Sequence, residues 1–395
     1  MIDHSHSGNK QLVLADWSAG GHNSLYLNLI VESASSDFDQ IEVRSPYREC
    51  FSGLNKGPDY GVLWREFRKR RSTRFPLPRS IQGQAGAFFA GRALRKSVFG
   101  GSFSGDTTVF FPCLFDWESF YIRWFFRGFR RSAIGLLVAA DFLRNESVEG
   151  EKLSSVLRRS PLRRLATLDE YRVEELQKRI GPQKTASWLP DVTFSSCVDS
   201  GKVHNRAMEA ATGRPIVLLI GRLAAKKGIV RFIDLANADA EESCLFVMAG
   251  EWLPETLRGS ERGYVETALE ERSNLLLLEG KIPLEEEYNA IIRDAAWVFL
   301  GYEDFSGSSN NLTKAGLLGT PVVAEEGYLL GDRVKRYELG ILMEKNEPAE
   351  VTWSKMCRFK ESHDWRQKDL CSQFRDSFSG ERFGGELRKL LFSDS

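Results

Sequence analysis

The sequence predicts an α/β protein built from two Rossmann-like, doubly wound domains that face each other across a cleft. The chain has 395 residues, more than one hydrophobic core usually serves. Short apolar runs alternate with helical segments from Gln11 onward and again from Pro215 onward, as in parallel sheets covered by helices. Between the two series lies Ser195–Thr212, a polar stretch with little periodicity that predicts a linker.

These patterns place the domain boundaries. We predict a first domain over residues 1–205 and a second over residues 206–365. The last segment, residues 366–395, is amphipathic and predicts a closing helix that can return to the first domain.

The first domain is predicted from apolar runs that each end in a polar or acidic loop. Gln11–Ala15 opens as a strand, and Asn55–Gln84 is polar, basic and irregular. The later strand candidates of this domain are Ile41–Arg44, Thr107–Pro112, Ala133–Ala139, Leu165–Leu168 and Trp188–Asp191.

The second domain is predicted from a similar alternation. Helical segments such as Gly228–Ala238 and Glu285–Arg293 separate its strands. Its strand candidates are Ile216–Ile220, Leu245–Ala249, Leu275–Leu278, Trp297–Leu300 and Pro321–Ala324. In such sheets ligands bind at the carboxyl ends of the strands, so functional residues are sought there.

Composition points to a globular cytoplasmic protein. Hydrophobic residues make up 42% and charged residues 27%, with 54 basic and 54 acidic side chains. No apolar stretch approaches the ~20 residues of a membrane-spanning helix, and residues 1–8 have no secretory pattern. The six cysteines lack paired or zinc-type spacing, which predicts reduced thiols and no metal site. No cofactor and no nucleic-acid partner are predicted.

The neutral total hides a basic region in the first domain. Residues 51–140 hold 15 basic and 5 acidic side chains, and Phe120–Phe129 interleaves arginines with aromatic rings. Such a run suits an anionic membrane surface or an anionic acceptor. The alternative is a solvated face of the domain.

A glycine-rich turn follows the first strand. Gly20 and Gly21 let a ligand approach the backbone closely, and His22 beside them is a candidate catalytic residue. The alternative is a structural histidine. The turn lacks the G-x-G-x-x-G pattern, which argues against a nicotinamide cofactor.

Two junctions in the second domain predict anion binding. The strand Ile216–Ile220 runs into Gly221, after which Arg222 and Lys227 precede a helix. After Trp297–Leu300, a loop of small and polar residues precedes another helix. That loop consists of Ser306, Gly307, Ser308, Ser309, Asn310 and Asn311. Unpaired N–H groups and the helix dipole favour a phosphate or sugar hydroxyls at such a junction, although helix capping alone also explains these residues.

The second domain resembles retaining glycosyltransferases of the two-domain GT-B fold, family 4 type. The similarity covers roughly residues 213–345 and is carried by the segments Gly221–Gly228, Ala249–Glu251, Gly280–Pro283 and Gly319–Ala324. It implies that Arg222 and Lys227 hold the donor diphosphate. It also implies that Lys281 and Ile282 line the nucleobase pocket, and that Gly250 and Glu251 belong to the donor site.

The family's paired glutamates are missing. Counting back from Gly319 puts Ser306 and Lys314 in their positions. A lysine can only donate hydrogen bonds, so a Lys314 side chain in the cleft is expected to bind a phosphate or ribose oxygen. The alternative is a lysine on the helix surface.

The resemblance implies an enzyme with a nucleotide-sugar domain and an acceptor-binding first domain. It would move a sugar from a nucleotide diphosphate donor to a glycan or lipid-linked acceptor. Retention of configuration, no metal, and a role in polysaccharide or cell-envelope synthesis at the inner face of the membrane are expected. Two alternatives stay open: a non-catalytic homologue that binds nucleotide sugars or glycans, and a nucleotide-sugar 2-epimerase.

Overall fold

Two parallel sheets organise the chain in the computed structural model. The structure describes residues 10–16, 23–45, 62–66, 92, 94–98, 106–114, 119–129, 131–138, 141–144, 146–362 and 372–392. Unit 1 comprises Met1–Pro190 and Gly380–Ser395, and unit 2 comprises Asp191–Ser379.

Unit 1 contains a seven-stranded parallel sheet in the order β3-β2-β1-β4-β5-β6-β7. The order reverses between β1 and β4, as in a doubly wound sheet. The strands are β1 Gln11–Ala15, β2 Gln40–Ser45, β3 Val62–Glu66, β4 Thr107–Leu114, β5 Ala133–Leu137, β6 Leu162–Thr167 and β7 Thr185–Trp188. Burial on both faces explains the nearly continuous apolar runs of the middle strands β1, β4 and β5.

The helices of unit 1 cover this sheet. In chain order they are α1 Asn23–Ala34, α2 Ser119–Phe125, α3 Val148–Arg159 and α4 Val173–Ile180, and a later helix, α13 Gly380–Phe392, is added from near the chain end. Phe383 of α13 lies 6.5 Å from Tyr26 of α1, measured between ring centroids. Arg164 of β6 donates to the Leu390 carbonyl at 3.1 Å, so α13 is bonded to the sheet as well.

Unit 2 contains a six-stranded parallel sheet in the order β10-β9-β8-β11-β12-β13. The strands are β8 Ile216–Leu223, β9 Leu245–Trp252, β10 Leu275–Glu279, β11 Trp297–Leu300, β12 Val322–Glu325 and β13 Gly340–Met343. The order reverses between β8 and β11, and a ligand of such a sheet binds at the carboxyl ends beside that reversal.

The helices of unit 2 alternate with these strands. They are α5 Lys202–Ala211, α6 Ile229–Ala238, α7 Gly259–Glu271, α8 Glu285–Asp294, α9 Asn310–Leu318, α10 Leu329–Tyr337, α11 Ala349–Ser362 and α12 Ser372–Ser377. Aromatic rings of Phe232, Phe246 and Phe299 meet edge to face in the core, with centroids 5.3–5.5 Å apart.

The division between the units differs from the predicted one. The predicted linker, Ser195–Thr212, is held by unit 2, because Asn289 of α8 donates to the Phe194 and Ser196 carbonyls at 3.0 and 2.8 Å. Glu287 accepts from the backbone N–H of Val203 at 2.6 Å and so caps α5. The structure therefore divides the chain at Asp191 and again at Gly380, where the sequence suggested 205 and 365.

Three strand predictions need correction. β3, Val62–Glu66, lies in the stretch predicted to be irregular, and β13, Gly340–Met343, was not predicted. The last strand of unit 1 is Thr185–Trp188, before the predicted exit strand. All three strands lie at a sheet edge. The apolar pattern is weak in β3 and β7, whereas β13 is a short apolar run of four residues.

The aromatic run that suggested a membrane surface contributes to the core of unit 1. Phe125 and Phe126 are buried and pack edge to face against Phe111, with centroids 5.6 and 5.2 Å from it. Arg123 and Arg127 of the same run are exposed. The rest of residues 51–140 lies largely outside the described part of the chain. No helix within the described ranges is long and apolar enough to cross a membrane.

Candidate functional site

Two glycines bring the backbones of β8 and β9 together at their carboxyl ends. Gly221 and Gly250 are register partners with φ of +111° and +137°. A Cβ atom on Gly250 would lie 1.9 Å from the Gly221 carbonyl oxygen, so no larger residue fits there. Gly250 therefore lets β9 lie close to β8 near the carboxyl ends of the two strands.

Arg222 and Glu251 follow these glycines and are also register partners. Arg222 Nε lies 3.3 Å from Glu251 Oε2, and the two side chains are 74% and 55% exposed. An ion pair this exposed is worth only about 0–1 kcal/mol. Arg222 can therefore leave Glu251 for a ligand anion at little cost.

Lys227 ends a short helical turn, Ala225–Lys227, between β8 and α6. The turn is fixed by Gly228, whose φ of +71° and close approach to the Gly301 carbonyl exclude a side chain. Lys227 Nζ lies 3.6 Å from the centroid of the Tyr302 ring. Among the described residues, no carboxylate is within ion-pair distance of this ammonium.

Asn311 joins three elements beneath Lys227. Its Nδ2 donates to the Ile220 carbonyl at 2.9 Å and to the Tyr302 hydroxyl at 3.3 Å, and its Oδ1 accepts from the Tyr288 hydroxyl at 2.8 Å. Burial raises the pKa of Tyr288. Burial also raises the pKa of Tyr302, but the positive charge of Lys227 and the hydrogen bonds of Lys227, Ser309 and Asn311 to the hydroxyl together outweigh it. The pKa of Tyr302 therefore lies below its ordinary value. Asn311 thus acts as a bridge inside the site.

Two side chains of the loop before α9 bind side chains of the segment that begins unit 2. The Ser308 hydroxyl bonds the Asp191 carboxylate and accepts from Arg333 Nη1 at 2.6 Å. Asn310 Oδ1 accepts from the Thr193 hydroxyl at 3.3 Å. These two predicted donor-binding side chains therefore hold the segment that begins unit 2.

Three further residues complete this loop. Ser309 is the N-cap of α9, and its side chain makes no capping bond. Ser306 is half-buried and Gly307 is buried.

Lys314 is neither free in a ligand site nor exposed on a helix surface. It is 1% exposed, and its Nζ bonds the Glu285 carboxylate and donates to Asn289 Oδ1 at 2.6 Å. Burial lowers its pKa, which Glu285 partly opposes. Because α8 supplies both partners, the expected bond from Lys314 to a phosphate is replaced by bonds within the protein.

The segment implied to line a nucleobase pocket also lies at the carboxyl ends of the unit 2 strands. The Gly280 N–H donates to the Gly250 carbonyl at 2.9 Å, which ties this segment to the end of β9. Lys281 after it is exposed and Ile282 is half-buried. Gly20, Gly21 and His22 lie outside the described residues.

Sequence reasoning missed Tyr288, Tyr302 and Glu285. Tyr302 stands two residues past the end of β11, a position where a site residue could have been sought. Tyr288 and Glu285 are spaced three residues apart on α8, which resembles any amphipathic helix. Within the described part of the chain, no group of three or more metal-ligating side chains is placed to hold a metal ion.

Comparisons with known proteins identify the architecture. No family model matches the sequence, and a search of curated proteins finds no match. The structure of HepE from Anabaena in complex with UDP matches with a TM-score of 0.69 at 13% identity, over 97% of this chain and 99% of that one. Sucrose-phosphate synthase from Thermosynechococcus elongatus matches with a TM-score of 0.67 at 15% identity, over 98% and 100%. WaaG, a glycosyltransferase involved in lipopolysaccharide biosynthesis, matches with a TM-score of 0.62 at 10% identity, over 97% and 100%. At these identities the likeness establishes the fold: the chain has the two-domain, Rossmann-like GT-B architecture of these glycosyltransferases.

Proposed function

We propose that this chain is a glycosyltransferase that moves a sugar from a nucleotide diphosphate donor to a glycan or lipid-linked acceptor. The observation that carries the proposal is the presence of two cations, Arg222 and Lys227, at the carboxyl end of β8, one of the two strands between which the order of the unit 2 sheet reverses. Arg222 is one of the last two residues of β8, and Lys227 lies in the turn that follows. The fold shared with HepE, solved in complex with UDP-glucose, supports this choice of ligand.

The chemistry required is stabilisation of a departing diphosphate. As the bond between the sugar and the β-phosphate breaks, negative charge grows on the phosphate oxygens. Arg222 donates charge-assisted hydrogen bonds after leaving Glu251, and Lys227 donates as an uncompensated ammonium. Two such cations supply the role that a divalent metal has in other transferases, so we propose a metal-independent reaction, with retention of configuration at the sugar.

The acceptor side of the proposal involves unit 1. The basic region of residues 51–140, with Arg123 and Arg127 exposed, suits an anionic acceptor or the inner face of a membrane. We therefore place the reaction in cell-envelope or polysaccharide synthesis. Co-sedimentation with anionic liposomes that falls as salt rises supports the membrane contact, and binding that ignores lipid charge contradicts it.

A non-catalytic homologue that binds nucleotide sugars is the second candidate. It is favoured by the loop before α9, where Ser308 and Asn310 hold unit 2's own first residues, and by Lys314, which is paired with Glu285. Such a protein would bind the nucleotide and transfer nothing.

Substitution of the two cations tests the function. Purified protein is assayed for release of nucleoside diphosphate from UDP-, GDP- and ADP-sugars with candidate glycan acceptors, in the presence of a chelator. Arg222→Ala and Lys227→Ala should each lower the rate by ~100-fold or more, as loss of one oxyanion donor does in other enzymes. Lys226→Ala, which removes the exposed neighbouring lysine, is the matched control and should keep the wild-type rate.

Three results decide against the proposal or a part of it. Near-normal turnover by Arg222→Ala would remove the diphosphate assignment. Activity lost in chelator and restored by Mg²⁺ or Mn²⁺ would remove metal independence. Nucleotide binding without turnover by any donor and acceptor would favour the non-catalytic homologue.

A further inference from the structure

Three cationic side chains near the carboxyl ends of the unit 2 strands are held in three different ways. Arg222 pairs with Glu251 on the surface, and Lys314 is buried against Glu285. Lys227 instead lies over an aromatic face, 3.6 Å from the Tyr302 centroid and 5.9 Å from that of Phe305. A ring attracts an ammonium without neutralising it, whereas a carboxylate would compete with an incoming phosphate.

The Tyr302 ring is itself fixed on several sides. It is 2% exposed and packs edge to face on Phe305, with centroids 5.3 Å apart. Its hydroxyl accepts from Asn311 Nδ2 at 3.3 Å, and Asn311 is in turn fixed by the Ile220 carbonyl and the Tyr288 hydroxyl. Its backbone N–H donates to the Leu300 carbonyl at 2.7 Å, so the ring position follows from the end of β11.

We propose that Tyr302 is the positioning residue for Lys227: its ring face holds the ammonium at the edge of the sheet, and Asn311 locks the ring in place. This inference rests on the proposed binding of a nucleoside diphosphate by Lys227. An unheld lysine would sample many rotamers and lose that freedom on binding the ligand. Because Tyr302 already restricts the Lys227 side chain, less rotamer freedom is lost when the ligand binds. The positive charge of Lys227 stays available to the phosphate.

A double-mutant cycle tests this role. Titration calorimetry measures the affinity for UDP, GDP and ADP in wild type, Tyr302→Leu, Lys227→Ala and the double variant. Tyr302→Phe keeps the ring and removes only the hydroxyl. Tyr264→Leu removes a half-exposed tyrosine of α7 and is the matched control. Thermal melts verify that each variant is folded.

A second measurement does not depend on any ligand. In protein labelled with ¹³C at the lysine ε carbons, the Lys227 signal is assigned by its loss in Lys227→Arg. The ring current of Tyr302 should move the Lys227 ε-CH₂ protons upfield. The shift should persist in Tyr302→Phe and vanish in Tyr302→Leu.

The expected results separate positioning from folding. Tyr302→Leu should weaken binding roughly 3- to 30-fold, the range for a cation–π contact, and should add nothing in the Lys227→Ala background. Tyr302→Phe keeps the ring face but loses the bond from Asn311, so it should weaken binding less than Tyr302→Leu does. Equal losses in both backgrounds, no loss, or an unshifted Lys227 signal would overturn the inference.

Failure of the proposed function is a separate outcome. A wild-type protein that binds none of the three nucleotides, or a Lys227→Ala variant that binds as the wild type does, contradicts the diphosphate site itself. Binding that requires Lys227 but shows no coupling to Tyr302 contradicts only the positioning role.

Discussion

Gly250 shows at the scale of one residue how closely β8 and β9 approach each other next to the candidate site. We predict that Gly250→Ala lowers the free energy of unfolding by more than about 1–3 kcal/mol. A left-handed backbone alone usually costs that amount. The overlap of the new Cβ atom with the Gly221 carbonyl adds to it. Gly280→Ala is the matched control, because its φ of +127° is similar and a Cβ there meets no atom within 4 Å. Denaturant titration of both variants gives the comparison, and equal losses would mean that the contact with Gly221 is unimportant.

The proximity of predicted site residues could be inferred from the sequence where one short segment of the chain carries them. Gly221, Arg222 and Lys227 lie in one strand–turn–helix segment, so their proximity follows from chain order. The partners of Ser308 and Lys314 could not be predicted in the same way, because they lie on other elements. Asp191 is 117 residues from Ser308, and Glu285 is 29 residues from Lys314. Such pairings depend on how helices stack, which a pattern of apolar residues does not specify.

Lys314 is a link between elements, joining α9 to the start of α8. We predict that Lys314→Met lowers the stability of unit 2 by about 1–3 kcal/mol, because the buried Asn289 amide oxygen loses its donor. Lys335→Met on α10 is the control: its pair with Glu326 spans 3.8 Å and is exposed, so the expected change is about 0–1 kcal/mol. Calorimetric melting measures both. Weaker nucleotide binding without loss of stability would instead place Lys314 on the ligand.

Lys184 joins α3, β6 and β7 in unit 1, and we predict that it makes the free energy of unfolding depend on pH. Its Nζ donates to the Ser160 and Leu162 carbonyls at 2.6 Å each, and burial, followed by the charge of Arg163, lowers its pKa to about 8. Between pH ~8 and ~10.5 the unfolded chain keeps a proton that the folded chain releases, so the free energy of unfolding rises with pH by up to ~3 kcal/mol.

Denaturant unfolding at several pH values across that window checks this contribution. Lys184→Met should remove the rise, whereas Lys178→Met, which replaces an exposed lysine of α4, should keep it. A rise of the same size in Lys184→Met would assign the pH dependence to other groups.

Elements in the middle of the sheets were predicted better than those near the edges. β8, β9 and β11 are flanked by neighbours and covered on both faces, which gives the continuous apolar runs that the sequence displays. β3 at the edge of unit 1 has the sequence Val-Leu-Trp-Arg-Glu, whose polar end made it look irregular. β10 is also an edge strand, but its four consecutive leucines made it predictable.

At the scale of the whole molecule, the last described helix belongs to the first unit. We predict that Leu387→Ala lowers the stability of unit 1 by about 2–5 kcal/mol, because this side chain of α13 is fully buried. Arg388→Ala, its neighbour, should change stability by about 1 kcal/mol or less, since its pair with Asp37 is half-exposed. Scanning calorimetry should show the Leu387→Ala effect in one transition only, and a shift of both transitions would show that the units unfold together.

The return of α13 to unit 1 sets an order for folding during synthesis. The ribosome delivers all of Asp191–Ser379 before Gly380–Phe392, so unit 2 has its full set of elements while unit 1 still lacks a helix. Until then α1 exposes the surface that later contacts Phe383 and the other apolar residues of α13. The unit that is translated first is therefore the one completed last, and a nascent chain stalled anywhere in unit 2 carries an open hydrophobic face for a chaperone to bind.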